Sequence, residues 1–370
     1  MIDKGKISSL QLAVLMYPLI LATSVLSVPS VTMRFAGHDM WMSPLWAIFI
    51  GLLAIYIAYR LNVRYPSLSP IQSSVLIAGK IPGKLCGLYF LLYMPHLNGV
   101  VVREYGEFVL STILPGTPLY VVMGSLLFVC AINARSGIEV IGRSGIILVA
   151  LTVIFLFVIL LLLIPELYPD ELLPIAEKGL KPSLLGAIAP ASWLSEFAFL
   201  AFLLPFVSDR SRALKASVYS LIAITITMLA VNIVCLFLFG DMTDSFVFPV
   251  MIAARYISFA DFLQHIEALI VAIWIAGIFV KVSVFLYVQA ISLAQWLNLN
   301  DFRPLVFPLA FLDLVYSFWV ISNQSEIATL LGSSGNLYTL FVLIVLPGLL
   351  LAVARIRNGR VHRTVGNGQS

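Results

Sequence analysis

Charge is scarce in this chain. Asp, Glu, Lys and Arg make up 11% of its 370 residues, while 61% are hydrophobic. Soluble domains carry about 25% charged residues, and a chain this poor in charge cannot cover a water-facing surface of its own size. That excludes a soluble enzyme, a nucleic-acid binder and a disordered chain. The net charge of +4 does not restore the nucleic-acid reading, because the basic residues sit in short clusters between apolar runs and form no phosphate-binding face. Cysteine is equally sparse. Cys86, Cys130 and Cys235 each lie inside an apolar stretch, and no two stand in a C-x-x-C spacing. They read as small buried hydrophobes, neither a disulfide framework nor a metal site. No H-E-x-x-H, G-x-S-x-G or Walker-type loop occurs, which argues against an enzyme and leaves no cofactor to expect.

Long apolar runs are what the chain has instead. A bilayer-crossing helix needs about 20 mostly apolar residues, and ten runs qualify: 8–30, 43–60, 83–112, 118–135, 143–164, 185–206, 214–239, 262–296, 304–322 and 336–355. The fold class is therefore an all-α polytopic membrane protein, one transmembrane domain over 1–370, with a tail at 356–370. The first run is longer than a signal-peptide core and lacks a small-x-small cleavage site, so it reads as a retained span. The segment 67–79 is too short and polar to cross and reads as an interfacial helix or re-entrant turn.

Lys and Arg set the orientation. With the N-terminus inside, the inner segments hold Lys4, Lys6, Arg60, Arg64, Lys80, Lys84, Arg135, Arg143, Arg210, Arg212, Lys215, Arg303, Arg355, Arg357, Arg360 and Arg363. The outer segments hold Arg34, Lys178, Lys181 and Arg255. The asymmetry places both termini in the cytoplasm, and the acidic, Pro-rich stretch 166–183 outside.

Polar groups inside a span are costly unless they face a cavity or a partner. Span 1 carries Pro18, Thr23, Ser24 and Pro29; span 6 carries Pro190, Ser192, Trp193, Ser195, Glu196 and Pro205. These spans occupy equivalent places if ten helices divide five plus five, repeat one at 8–164 and repeat two at 185–355. Paired interruptions of helices 1 and 6 point to an inverted-repeat transporter fold with its site at the midplane; tolerated proline kinks are the alternative. Lys281 sits near the middle of an apolar run, and its ammonium needs a partner there, either Glu196 or polar atoms of span 1. Glu267 shares its helix face but lies roughly 21 Å away, with Trp274 and Gly277 between them on the side inferred to face the bundle. Arg103, Glu104 and Glu107 form a charged cluster in span 3, where Arg103 and Glu107 can pair at i, i+4; an interfacial cluster and an outer gate are the two readings. Asp313 reads as a local cap or pair, and His96 and His265 as packing residues.

At LATSVLSVPS (21–30) the chain resembles the amino acid–polyamine–organocation superfamily, whose first helix reads G-x-G-[IL]-x-x-x-P. It departs at both glycines, here Ala22 and Ser24. Within that superfamily it resembles the B subunits of nutrient germinant receptors of endospore-forming bacteria. The residues that carry this are RYPSLS (64–69), LPGTP (114–118), ARSGIEVIGR (134–143), LLPIAEKGLKPSLLGA (172–187), FPVMIAARYISFADFLQHIEAL (248–269) and the W-x-x-x-x-F-x-K run at 274–281. The resemblance implies a leucine-transporter-like fold, a place in the spore inner membrane, and a complex with a larger membrane A subunit and a lipoprotein C subunit. It also implies that a small nutrient, often an L-amino acid, binds between spans 1, 3, 6 and 8. Thr23, Ser24 and Val25 would then meet a carboxylate, and Glu196 or span-6 carbonyls with Ser192 and Ser195 an ammonium. Tyr93, Leu97, Trp193, Ser283 and Tyr287 would shape the pocket, and Lys281 would supply a fixed charge where sodium-coupled relatives bind sodium. A proton-coupled amino-acid permease, with Glu196 or Lys281 carrying the proton, is the alternative.

The charge asymmetry is testable directly. A single reporter cysteine at Lys178 should react with a membrane-impermeant maleimide in intact cells, and one at Arg212 only after permeabilisation. The reverse pattern would invert the orientation.

Overall fold

In a bilayer every backbone N–H and C=O must find its partner within its own segment or a neighbouring one, so apolar runs of this length become helices. The computed structural model describes residues 3–256, 266–320 and 334–366. Among them the helices are α1 (Ser9–Ala36), α2 (Ser43–Arg64), α3 (Pro70–Ala78), α4 (Lys80–Thr112), α5 (Leu119–Arg135), α6 (Ile138–Leu163) and the short α7 (Lys181–Gly186), α8 (Ile188–Leu194) and α9 (Leu200–Leu203). They continue with α10 (Arg210–Phe239), α11 (Pro249–Arg255), α12 (Ile266–Leu297), α13 (Arg303–Val320), α14 (Ser334–Leu340) and α15 (Leu346–Gly366), the last two joined by a π-helical turn at Phe341–Val345. Among the described residues, eight stretches are long and apolar enough to cross a membrane. One of them, Ser9–Arg64, holds both α1 and α2, and Leu119–Arg135 is a shorter apolar helix, so the ten expected spans all have a counterpart. The chain is an integral membrane protein. His265, and the side chain of Glu267, lie outside the described residues.

Layering follows from which helices bury their surface. The stretches holding α1 and α7 to α9 lie inside, while α6 and α13 turn most of their apolar surface outward. At one end the N-terminal strand of chain closes the bundle. Ile7 pairs in an isolated bridge with Val207, and Ser9 donates from its N–H and its hydroxyl, both at 2.6 Å, to the Asp209 carboxylate. Those hydrogen bonds hold the Asp209 carboxyl below its ordinary range. At the opposite end His38 bridges the Glu171 carbonyl (2.6 Å) and Asp241 (3.1 Å), and Ala176 N–H donates to Asp39, so the 166–183 stretch is tied down across the end of the bundle.

The segment 67–79 is a short helix packed on the bundle. Ser69 and Gln72 form a reciprocal cap at the start of α3, and Ser69 also bonds Gln295 of α12. Its contact with α4 leaves no room at Gly83, where an added Cβ would lie 2.4 Å from Val75 Cα and 2.5 Å from Ser74 O.

Span 1 departs from expectation. α1 is one continuous helix of 28 residues with Pro18 and Pro29 inside it. Each proline removes only one N–H, and the hydroxyls of Ser24, Ser27 and Thr32 bond the carbonyls of Ile20, Thr23 and Val28 one turn back. With Ala22 and Ser24 in place of the two glycines, the helix has neither the freedom nor the need to unwind. Span 6 does break. Between α8 and α10 it runs through 3-10 turns at Ser195–Phe199 and Leu204–Phe206, and the Ser195 hydroxyl donates to the Ser192 carbonyl at 2.6 Å across the first change of pitch.

Gly83→Ala should cost about 1–3 kcal/mol, because the clash is with backbone that cannot turn aside. Gly348→Ala, whose Cβ would meet only Ile57 Cδ1 at 3.6 Å, should be neutral. Thermal melting of both variants in detergent measures the difference, and equal melting would mean that α3 is not seated on α4 as described.

Candidate functional site

Three residues far apart in sequence converge on one ammonium. Lys281 of α12 is fully buried and donates to Thr23 Oγ1 of α1 at 2.9 Å and to both oxygens of Glu196, at 3.1 and 2.9 Å. The Nζ also lies 5.3 Å from the centre of the Phe285 ring. An ammonium has three protons, and these three acceptors account for them. Both kinds of partner foreseen for Lys281 are therefore present: Glu196 and a polar atom of span 1. Trp274 and Gly277, on the same side of α12, do face the bundle. Trp274 packs at a tilt against Phe108, ring centres 4.2 Å apart, and Gly277 packs on Ala22.

Beside the ion pair lies a polar cavity with about 510 Å³ of atom-free space. Thr23, Leu97, Glu104, Ser192, Glu196 and Lys281 line it, with Trp193, His96, Val100, Val101, Gly335, Asn336 and Thr339 completing the wall. Two other clefts of similar size are walled almost wholly by hydrocarbon, whereas this one sets a buried ion pair and a second carboxylate beside space for a small polar molecule.

Glu104 stands apart from Arg103 and Glu107, its neighbours in the charged cluster of span 3. It is buried, its Oε1 has no hydrogen-bond partner, and it lines the cavity and also a cleft of about 600 Å³ toward the end of the bundle that holds Arg34 and 244–248. Helix geometry carried the signal. Leu97 and Glu104 are seven residues apart, which returns to nearly the same face, whereas Arg103 is turned by about 100° from Glu104. Arg103 instead pairs with Glu107 (2.8 Å) and lies 5.7 Å over the Phe318 ring of α13. Neither Arg103 nor Glu107 lines the cavity or the outer cleft.

Several expected pocket residues stand elsewhere. Ser24 is bonded within α1, and Val25 lines an apolar cleft on the other side of that helix. Because α1 is unbroken, the backbone of 23–25 is committed to the helix, and Thr23 takes part through its hydroxyl alone. Ser195 is bonded to Ser192. Tyr93 sits just behind the wall, donating to Thr339 at 3.2 Å. Ser283 of α12 is buried beside Cys130 of α5 and is not part of the lining. Tyr287 is displaced further: it is six residues, about 9 Å, along α12 from Lys281, donates to Asp3 at 2.9 Å and packs between Phe206 and Phe302. It closes the N-terminal end and does not shape the cavity.

A family model described as spore germination protein matches residues 6–326. Spore germination protein KB of Bacillus subtilis is 26% identical over 329 residues, 88% of this chain and 87% of that protein. Spore germination protein YndE of the same organism is 25% identical over 367 residues, 95% and 97% of the two chains. GerQB of Bacillus cereus is 23% identical over 343 residues, 91% and 93%. Among solved structures, a Na+-coupled sialic acid symporter superposes with a TM-score of 0.68 at 13% identity, covering 94% of this chain and 79% of that one. The nucleobase-cation-symport-1 family transporter MHP1 follows at 0.53 and 13%, covering 94% and 78%. These last two likenesses establish the fold, a leucine-transporter-like arrangement, and nothing finer.

Lys281→Met should destabilise the chain by about 3–5 kcal/mol, since it strands the Glu196 carboxylate in the interior without its cation. Combining it with Glu196→Gln should recover much of that loss. Thermal denaturation in detergent reads both, and a double variant no more stable than the single one would deny the pair its role.

Proposed function

Because the chain belongs to the family of spore germination proteins, we propose that it is the membrane subunit of a nutrient germinant receptor, binding a small nutrient in the cavity beside Lys281 and signalling through partner subunits. The observation that carries the choice of ligand is the buried Glu104 carboxylate, which lines the cavity with one oxygen unpaired. A buried carboxylate without a counter-charge favours a ligand that brings an ammonium. Glu196 is already neutralised by Lys281, so Glu104 takes the amino group in its place. An L-amino acid also carries a carboxylate, which meets the Ser192 hydroxyl and the positive side of the Lys281 pair, while Leu97, Val101 and Trp193 face its side chain.

Signalling follows from the same contacts. A ligand carboxylate competes with Glu196 and Thr23 for the Lys281 protons, and so alters the polar link that joins α1, the stretch after α8 and α12. A change in that link shifts the balance between two helix arrangements, and partners that grip one arrangement more tightly read it out. In this reading the partners are the larger membrane A subunit and the lipoprotein C subunit, the location is the spore inner membrane, and both termini face the cytoplasm.

Purified protein in proteoliposomes with an inward pH gradient, offered labelled L-amino acids and sugars, provides the test. Saturable amino-acid binding without accumulation is the expected result, weakened at least tenfold by Glu104→Gln, the order expected for losing one charge-assisted contact. Accumulation that collapses with the gradient would instead make the chain a proton-coupled permease. Sugar binding indifferent to Glu104→Gln would overturn the choice of ligand.

A further inference from the structure

A second buried polar cluster lies outside the cavity, where α4, α12 and α13 meet. Asp313, in the middle of α13, is fully buried. It accepts from Asn98 Nδ2 of α4 at 2.5 Å and from Gln289 Nε2 of α12 at 3.1 Å. This is a contact across three helices and not the local cap expected from sequence. Both donors are neutral amides. Among the described residues of the packed elements, Lys281 of α12 holds Glu196, Arg103 of α4 pairs with Glu107, Glu104 lines the cavity and Lys84 of α4 bonds the Trp296 carbonyl. The cations that reach α13 do so at a distance from Asp313. Arg103 lies over Phe318 and Arg135 of α5 over Phe307, five and six residues away along the helix, and Arg303 stands at the start of α13.

The surroundings are short of positive charge in a second, independent way. Asn98 Oδ1 and Gln289 Oε1 are both buried with no hydrogen-bond partner, as is Ser292 Oγ, three residues beyond Gln289 on α12. Each unpaired amide oxygen belongs to the same planar group as the nitrogen that bonds Asp313, so turning either amide over brings an oxygen with unused lone pairs to the carboxylate. We propose that Asn98, Gln289 and Asp313 form an intramembrane site for one monovalent cation, a proton or Na+, separate from the nutrient cavity.

A carboxylate removed from water and from counter-charge is strongly disfavoured, and one bound positive charge relieves it. Amide, hydroxyl and carboxylate oxygens are the donor set of a hard cation. For the proton, the Asn98 amide turned over would accept from a protonated Asp313 in place of donating to the carboxylate. Packing here is close: a Cβ on Gly99 would lie 3.1 Å from Tyr316 and Ser317 backbone atoms. Asn98 also adjoins Leu97 of the cavity wall, so loading this site alters how α4 seats against α13 and couples cation binding to nutrient binding in both directions.

The full chain and its Asp313→Asn variant, purified in detergent, decide the matter by melting temperature. One titration exchanges Na+ for choline at fixed pH and ionic strength; the other varies pH without Na+. A rise with Na+ that Asp313→Asn abolishes identifies sodium. A melting temperature that falls as pH rises, together with an infrared carboxylic-acid carbonyl band missing from Asp313→Asn, identifies the proton. Wild-type protein indifferent to both ions with no Asp313-dependent band overturns the site, as does a variant that keeps the wild-type response. If Asp313→Asn does not fold, Gln289→Leu keeps the carboxyl and removes one neighbour. It should weaken the Na+ response at least tenfold or move the pH midpoint by at least one unit, and an unchanged response overturns the site.

Discussion

One ammonium in the membrane interior organises this molecule. Burying Lys281 removes it from water, and only full satisfaction of its three protons makes that tolerable. The residues that satisfy it come from α1 and from the helical stretch that follows α7, 258 and 85 positions away in the chain. Helices that in lipid have no hydrophobic reason to prefer one neighbour over another are thereby held in one arrangement. The cavity is the space left beside that junction, and its polarity comes from the same residues.

Backbone chemistry then decides what kind of site this is. An unwound first helix would offer free N–H groups and carbonyls to a ligand. Here α1 stays whole, because its hydroxyls bond back to their own helix and its two small residues at 22 and 24 are not glycines. In the proposed site recognition is left to side chains: the Thr23 hydroxyl, Ser192, the Lys281–Glu196 pair and the Glu104 carboxylate. The sixth helix supplies the irregularity, since its 3-10 turns follow directly on Ser192 and Trp193 and contain Glu196.

Much of the fold was readable in the chain itself. Run length located the spans, the shortness and polarity of 67–79 set that segment apart from them, and an isolated charge in an apolar run marked Lys281 together with its partner types. What short stretches do not carry is a residue's rotation about its helix or its distance along it. Glu104 was grouped with Arg103 and Glu107, although helical rotation separates them. Tyr287 was assigned to a pocket that lies about 9 Å back along its own helix. Asp313 was given a local partner when its partners sit on α4 and α12.

Hydrophobic length, charge placement and the cost of an unpaired charge are properties of short stretches, so the sequence alone determined that this is a multispanning helical membrane protein with a charged centre. Which polar side chains meet one another depends on how the helices are turned and stacked. Apolar surfaces in lipid specify that weakly, and a few long-range polar contacts specify it strongly. The cavity wall around Glu104, the closure of the N-terminal end by Asp3 and Tyr287, and the cluster at Asp313 were therefore decided only by the tertiary structure.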